Sequence, residues 1–241
     1  MKDTLRTAND PMGAAIYDFH KKGKAGKLIV HSSTFEDDEI PVGTLFREFK
    51  DMPELEKKAL KRASGRILDV GAGSGCHSLA LQAMGKSCLA IDISPLSVNV
   101  MKDRGVNARL INLYDENFNE KFDTILMLMN GTGIIGRLEN MPAFFARMKQ
   151  LLAPGGRIIL DSSDLRYLYE DEDGSMMIDL ADEHYGLLDY QMEYKGVLGD
   201  PFDWLYVDFE TLTFYAEQNG FKTELIAEGE HYDYLAALSI K

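Results

Sequence analysis

Cysteine is scarce in this chain. Cys76 and Cys88 are the only two in 241 residues, too few for a disulfide framework, and no second pair or histidine cluster completes a zinc ligand set beside them. No metal is therefore expected. Positive charge is short as well: 26 Lys and Arg against 39 Asp and Glu leave a formal charge of -13. Such a surface repels phosphate backbones and anionic lipid, so neither nucleic acid nor a membrane is an expected partner. No apolar run approaches the ~20 residues needed to cross a bilayer, and the first ten residues lack the apolar core of a secretion signal. A cytoplasmic location is the expectation. Internal repeats and low-complexity tracts are also missing.

What remains is a chain with 45% hydrophobic residues, enough to bury the core of one α/β domain with embellishments. Its acidity is uneven. From Asp161 to Glu210 the only basic residues are Arg166 and Lys195, and the acidic excess of this stretch equals that of the whole chain. Two readings stand open: a solvated surface, or a negative field around a cationic ligand or basic partner.

Asp10-Pro11 reads as an N-cap and first helical residue, with Met12, Ile16 and Phe19 on one face and Gly23 as the stop. Lys27 to Ser33 and Ile40 to Phe46 look extended. Pro53 opens a helix with an apolar stripe of Leu55, Ala59, Leu60 and Ala63. From Arg66 the pattern changes to alternating strand and helix, with apolar runs at Ile67–Val70, Cys88–Ile91, Ala108–Leu113, Thr124–Met129 and Arg157–Leu160, as in parallel strands buried on both faces. Gly85 and Gly105 end helices, Ser94-Pro95 starts one, and Pro154-Gly155-Gly156 turns the chain into the fifth strand. Tyr190 to Tyr194 and Phe202 to Tyr206 then alternate in polarity around a turn at Gly199-Asp200-Pro201, which reads as an inserted hairpin. A helix from Phe209 to Asn219 and strands at Phe221–Ala227 and Tyr234–Ile240 close the chain.

The segment carrying chemistry is Ile67-Leu-Asp-Val-Gly-Ala-Gly-Ser-Gly-Cys-His77, a strand followed by three glycines at alternate positions and a helix. Glycines there let the backbone approach a ligand where any Cβ would collide. Asp69 adds a carboxylate suited to an ammonium and unsuited to a pyrophosphate, and Cys76 stands where the dinucleotide fingerprint needs its third glycine. The next strand ends in Asp92, from which a carboxylate reaches the two hydroxyls of a ribose; Ile93 can lie against a purine face. Asn112 can read an adenine amino edge and Leu113 cover the ring. The blander alternatives are a tight turn at Gly71 and Gly73 and a helix-initiating acid at Asp92.

In these residues the sequence resembles the class I S-adenosylmethionine (SAM)-dependent methyltransferases, over about Arg66 to Leu160 and again through the last two strands. The D-x-G-x-G-x-G pattern falls on Asp69, Gly71, Gly73 and Gly75, the ribose acid on Asp92, and the fourth and fifth strands on Phe122–Leu126 and Leu152–Leu160. Asn112 stands where many members have Asp. The resemblance implies an α/β, Rossmann-like fold: a seven-stranded, mostly parallel sheet with the last strand antiparallel. Residues 1–64 would be an N-terminal lid and 65–241 the SAM-binding domain, with an inserted β-hairpin at about 165–208. SAM would be the cofactor, held by Asp69, Gly71, Ala72, Gly73, Asp92, Ile93, Asn112, Leu113 and Met129.

For the acceptor, Asn130-Gly131-Thr132 at the end of the fourth strand is where a methyl acceptor would approach in this fold. Asn130, Trp204 and His231 are the expected substrate contacts, with Tyr232 and Tyr234 as further aromatic walls, although aromatics at alternate positions serve equally as core. If a proton must leave the acceptor, His231, Tyr17 and His20 are candidate bases, and nothing in the sequence chooses among them. Asp161 and Asp164 lack the further ligand a Mg²⁺ site needs. The expectation is an enzyme methylating a small molecule, an amine if the acidic run acts on it, with the prelude closing over the fourth and fifth strand ends. A SAM-binding regulator or pseudoenzyme is the alternative, and a nicotinamide-dependent oxidoreductase a more distant one, disfavoured by Asp69 and Cys76.

Overall fold

The computed structural model describes residues 4–169 and 184–241. The part of the insertion and of the acidic run between 170 and 183 lies outside the described residues. The elements, in order, are α1 (Pro11–Lys22), β1 (Leu28–His31), β2 (Asp38–Ile40), α2 (Glu54–Arg62), β3 (Arg66–Val70), α3 (Cys76–Ala83), β4 (Ser87–Asp92), α4 (Pro95–Asp103), β5 (Ala108–Leu110), β6 (Phe122–Met127), α5 (Met141–Leu151), β7 (Leu152–Ser163), β8 (Leu187–Tyr194), β9 (Val197–Leu198), β10 (Phe202–Leu205), α6 (Phe209–Gln218), β11 (Phe221–Glu228) and β12 (Asp233–Ile240).

Seven strands form the main sheet in the order β11-β12-β7-β6-β3-β4-β5. The pairs from β7 through β5 are parallel and β12 is antiparallel to both neighbours, as the resemblance implied. The strand order reverses at β3, between β6 and β4, which opens the crevice where such sheets bind ligands. One face of the sheet buries Phe122, Phe144, Phe145 and Phe221 among aliphatic neighbours. On the other, α2 supplies Leu55, Ala59 and Leu60 against Ile67, Leu81, Ile159 and Leu235. The prelude thus divides: α2 belongs to the main core, while α1, β1 and β2 lie outside it.

A second sheet joins the prelude to the insertion, in the order β10-β8-β1-β2 with β9 also on β8. Leu28 faces Tyr194 and Val30 faces Met192 across an antiparallel ladder, and the Tyr194 hydroxyl accepts from Gly26 N at 3.1 Å. Three local expectations change. Only Ile40 of the segment 40–46 is strand; Val42–Phe46 forms a 3₁₀ helix, because Val42 and Leu45 bury and Phe46 stacks on Phe19 of α1 at 4.6 Å. The hairpin reverses at Lys195-Gly196, both at positive φ, as a two-residue hairpin turn requires; Gly199-Asp200-Pro201 only interrupts the returning strand. Pro154-Gly155-Gly156 sits inside β7 as an irregularity in its ladder with β6 rather than as a separate turn.

Candidate active site

The glycine turn leaves β3 with Gly71, Gly73 and Gly75 all at positive φ (67°, 57° and 81°), a backbone that L side chains adopt only under strain. Gly71 N and Ala72 N donate to Ile91 O at 2.9 and 3.2 Å, which lays the turn against the end of β4. There Asp92 Oδ2 accepts from Gly73 N at 2.8 Å and Oδ1 from Ser94 N at 2.8 Å. Burial raises the Asp92 pKa to about 6. Each carboxylate oxygen retains a lone pair, so Asp92 stiffens the turn, starts α4 and still has capacity for two hydroxyl donors. A Cβ on Gly73 would meet only Ile16 Cδ1, at 3.9 Å, so the turn borders open space roofed by α1.

Asp69, 2% exposed, turns inward: its Oδ2 accepts from the Ser78 hydroxyl at 2.6 Å, tying β3 to α3, and burial raises its pKa. Ile93 is half-buried beside Asp92 and Leu113 is buried. The Asn112 side-chain oxygen accepts from Tyr114 N at 2.9 Å in an Asx turn.

The first part of the prelude packs against the glycine turn and the start of α4, while its strands β1 and β2 join β8 and β10 in the second sheet. Asp10 caps α1 through Gly13 N at 2.9 Å, and its other oxygen accepts from the Ser94 hydroxyl at 2.5 Å, so one carboxylate joins the N-termini of α1 and α4. Ser74 in the glycine turn donates to Leu45 O and accepts from Arg104 at 2.9 Å. Beneath the turn, His77 Nε2 lies 2.9 Å from Glu56 Oε2, and Arg47 donates to both Glu56 oxygens. Burial would push the Glu56 carboxyl up, but these partners outweigh it and its pKa lies below the usual range. The Asp10-Pro11 signal showed the helix start and nothing of its partner 84 residues away.

At the end of β6, Met129 and Asn130 both have positive φ (65° and 59°). Asp161, at the end of β7, accepts from Met129 N and Gly131 N, each at 3.1 Å, and burial raises its pKa to about 6. Next to it the Ser162 hydroxyl lies 3.0 Å from the Asn130 side-chain amide and 2.7 Å from Thr132 Oγ1. Trp204 of β10 packs so tightly on the following 3₁₀ turn that a Cβ on Gly133 would collide with the indole. The Tyr190 and Tyr206 hydroxyls meet at 3.3 Å on the same sheet. Asn130 and Trp204 therefore lie on one end of the rim.

The remaining candidates are spread out. His20 stands 3.6 Å from Asp103, at the end of α4 about 13 Å of helix away from the Asp92 end. Tyr17 is exposed under the Lys21 ammonium. His231 is exposed in the β11–β12 loop, its N–H donating to Asp233 at 3.1 Å, beside Tyr232, which stacks on Tyr167. Tyr234 is buried with its hydroxyl on Val207 O. Among the described residues no group of His, Cys, Asp and Glu is arranged to hold a metal, and no helix is long and apolar enough to cross a membrane. The described acids of the Asp161–Glu210 run are largely committed: Asp189 accepts from Ser33, Asp203 pairs with Arg137, and Asp208 caps α6.

Residues 45–224 match the model of a family described as a methyltransferase domain. The chain is 64% identical to a SAM-dependent methyltransferase from Bacteroides fragilis whose crystal structure holds S-adenosylhomocysteine, with 99% of this chain and 98% of that one covered and a TM-score of 0.94. It is 31% identical over 102 residues to the cypemycin N-terminal methyltransferase of a Streptomyces species, covering 41% of this chain and 42% of the relative. Demethylmenaquinone methyltransferase of Tropheryma whipplei is 32% identical over 104 residues, 41% of each protein. The chain thus spans about two fifths of the length of the curated relatives it matches.

Proposed function

Since the chain belongs to the methyltransferase-domain family and is an enzyme that uses SAM, we propose that it methylates a small molecule enclosed between the β6–β7 end of the rim and the second sheet. Trp204 seated on Gly133 is the observation that carries this reading: the second sheet packs onto the rim beside Asn130, and a small acceptor entering between the two is the approach that this packing favours. Two curated relatives are named for a peptide N-terminus and for a quinone, so likeness over about two fifths of their length supports the methyl donor half and leaves the acceptor to this chain's own walls.

The residues fit SAM. Gly73 offers a cradle that a side chain would narrow, and Asp92 has one spare lone pair per oxygen for the ribose hydroxyls. Ile93 and Leu113 would line the adenine and Asn112 its edge, with Ala72 and Met129 completing the walls. Asp69 would act through the turn it anchors. When bound, the sulfonium supplies an activated methyl group whose transfer leaves a neutral thioether. The protein's task is alignment, worth several kcal/mol when the reacting atoms are held about 3 Å apart. Because the described acids of the Asp161–Glu210 run mostly cap, clamp or pair, attraction of a cationic amine is not needed to explain them.

Tritiated-methyl SAM incubated with a metabolite pool and, separately, with a protein pool tests the reading. Label recovered in the small-molecule fraction supports it, and label confined to protein refutes it.

A further inference from the structure

Alternation along β8 and its pairing with β1 and β10 put Leu28, Val30, Tyr190, Met192, Phe202 and Trp204 on one face of the second sheet. At one end of this face Leu28 is buried in a cluster with Ala15 and Ile16 of α1, the helix that roofs the glycine turn. At the other end Trp204 sits on Gly133 of the rim. Anchored at both ends, the face bridges the cofactor half and the rim beside Asn130. Between the anchors Val30, Tyr190 and Met192 stay only half-buried.

Tyr206 continues the alternation of Phe202 and Trp204, and its hydroxyl meets that of Tyr190 at 3.3 Å. Neither hydroxyl has another hydrogen-bond partner among the described residues. Two phenols hold two protons, and their mutual bond uses one of them, whichever phenol donates. One O–H is left over, and a half-buried donor without an acceptor costs free energy. Burial raises the pKa of both phenols, which keeps them neutral. Tyr167 and the rim carboxylate Asp161 push Tyr206 further up, as Asp38 and Asp189 of the second sheet push Tyr190. Tyr206 is therefore the rim-side member of the pair, with Tyr190 behind it.

Resting on the reading of the acceptor as a small molecule between the second sheet and the rim, we propose that the Tyr190–Tyr206 pair binds a hydroxyl group of that acceptor, an alcohol or phenol on an apolar frame, with Tyr206 making the contact. A hydroxyl both donates and accepts, so it takes the spare O–H and returns its own proton to a phenol lone pair. An ammonium has no lone pair to offer the spare O–H. A carboxylate or phosphate accepts it, but brings negative charge beside Asp38, Asp161 and Asp189. Val30, Met192 and Phe202 supply the apolar wall. Neutral phenols do not remove a proton at neutral pH, so the pair anchors the acceptor and takes no part in its deprotonation.

Benzyl alcohol, benzylamine and benzoate share one ring and differ in the group under test. Trp204 is the only tryptophan in the chain, and its ring lies 5.9 Å from that of Phe202 on the same face. Its fluorescence therefore reports binding of each compound to protein saturated with S-adenosylhomocysteine, with no turnover needed. Benzyl alcohol should bind about three- to tenfold more tightly than the other two, and Tyr206→Phe should abolish that preference while the melt and the calorimetric affinity for S-adenosylhomocysteine hold. Tyr190→Phe should cost less, because Tyr206 keeps its hydroxyl. An amine or acid bound as tightly as the alcohol, a preference that survives Tyr206→Phe, or no response to any of the three would overturn the proposal. For an acceptor recovered from the labelled metabolite pool, KM should rise about tenfold in Tyr206→Phe with kcat nearly unchanged; an unchanged KM would count against the pair. Label confined to protein would instead refute the small-molecule reading, and the fluorescence series still decides whether the pair binds a hydroxyl.

Discussion

Asp92 gives the sharpest handle on the cofactor site. Its two oxygens each accept one backbone N–H at 2.8 Å, which leaves one lone pair apiece for the ribose hydroxyls. One charge-assisted bond is worth roughly 1.5–3 kcal/mol, so Asp92→Ala, which removes two, should lose at least about one to two orders of magnitude in SAM affinity. The carboxyl must be ionised to accept both hydroxyls, and burial raises its pKa to about 6. Affinity should therefore be level above pH 7 and about tenfold weaker at pH 5, a dependence that Asp92→Asn should flatten. Fold stability moves oppositely for this group. Its folded pKa lies above the unfolded value near 3.9, so between about pH 4 and 6 the folded chain holds more protons, and the group's contribution to stability falls as pH rises. Titration calorimetry of SAM from pH 5 to 8, with thermal melts alongside, measures both. Wild-type affinity that does not change over that range, or Asp92→Ala binding like wild type, would refute the ribose role and leave Asp92 only the start of α4.

Gly73→Val places a β-branched residue at φ 57° in the proposed cofactor cradle, and SAM binding by calorimetry should fall by more than about tenfold. Removing residues 1–23 strips Asp10 from Ser94 and Ile16 from above Gly73, so SAM affinity should fall while the melt of the main sheet persists; unchanged affinity would show that α1 does not roof the cofactor. Trp204→Ala opens the wall at Gly133 and should raise the KM of any small acceptor found in the label assay by about tenfold with SAM affinity unaltered. An equal loss for SAM would place Trp204 on the other half of the site.

The main sheet was legible because β3, β4, β6 and β7 are short apolar runs punctuated by glycine and proline, and because the carboxylates at 69 and 92 stand at strand ends. The second sheet was not. Pairing Leu28 with Tyr194 is a contact across most of the chain, and alternation in each strand says nothing about its partner. The reversal at Lys195-Gly196 hides behind the more turn-like Gly199-Asp200-Pro201, since lysine carries no signal for a positive φ. Asp10 looked complete as a helix cap, which concealed its bond to Ser94. Asp161 showed only an acid at a strand end; its role as a clamp depends on two backbone N–H groups that no composition reveals.

A crystal structure with S-adenosylhomocysteine bound tests the central claim most directly. One nucleoside per chain should lie over Gly73 beneath α1, with both ribose hydroxyls on Asp92 and the sulfur directed toward Asn130. A ligand seated elsewhere, or a ribose that leaves Asp92 bonded only to Gly73 and Ser94, would contradict it.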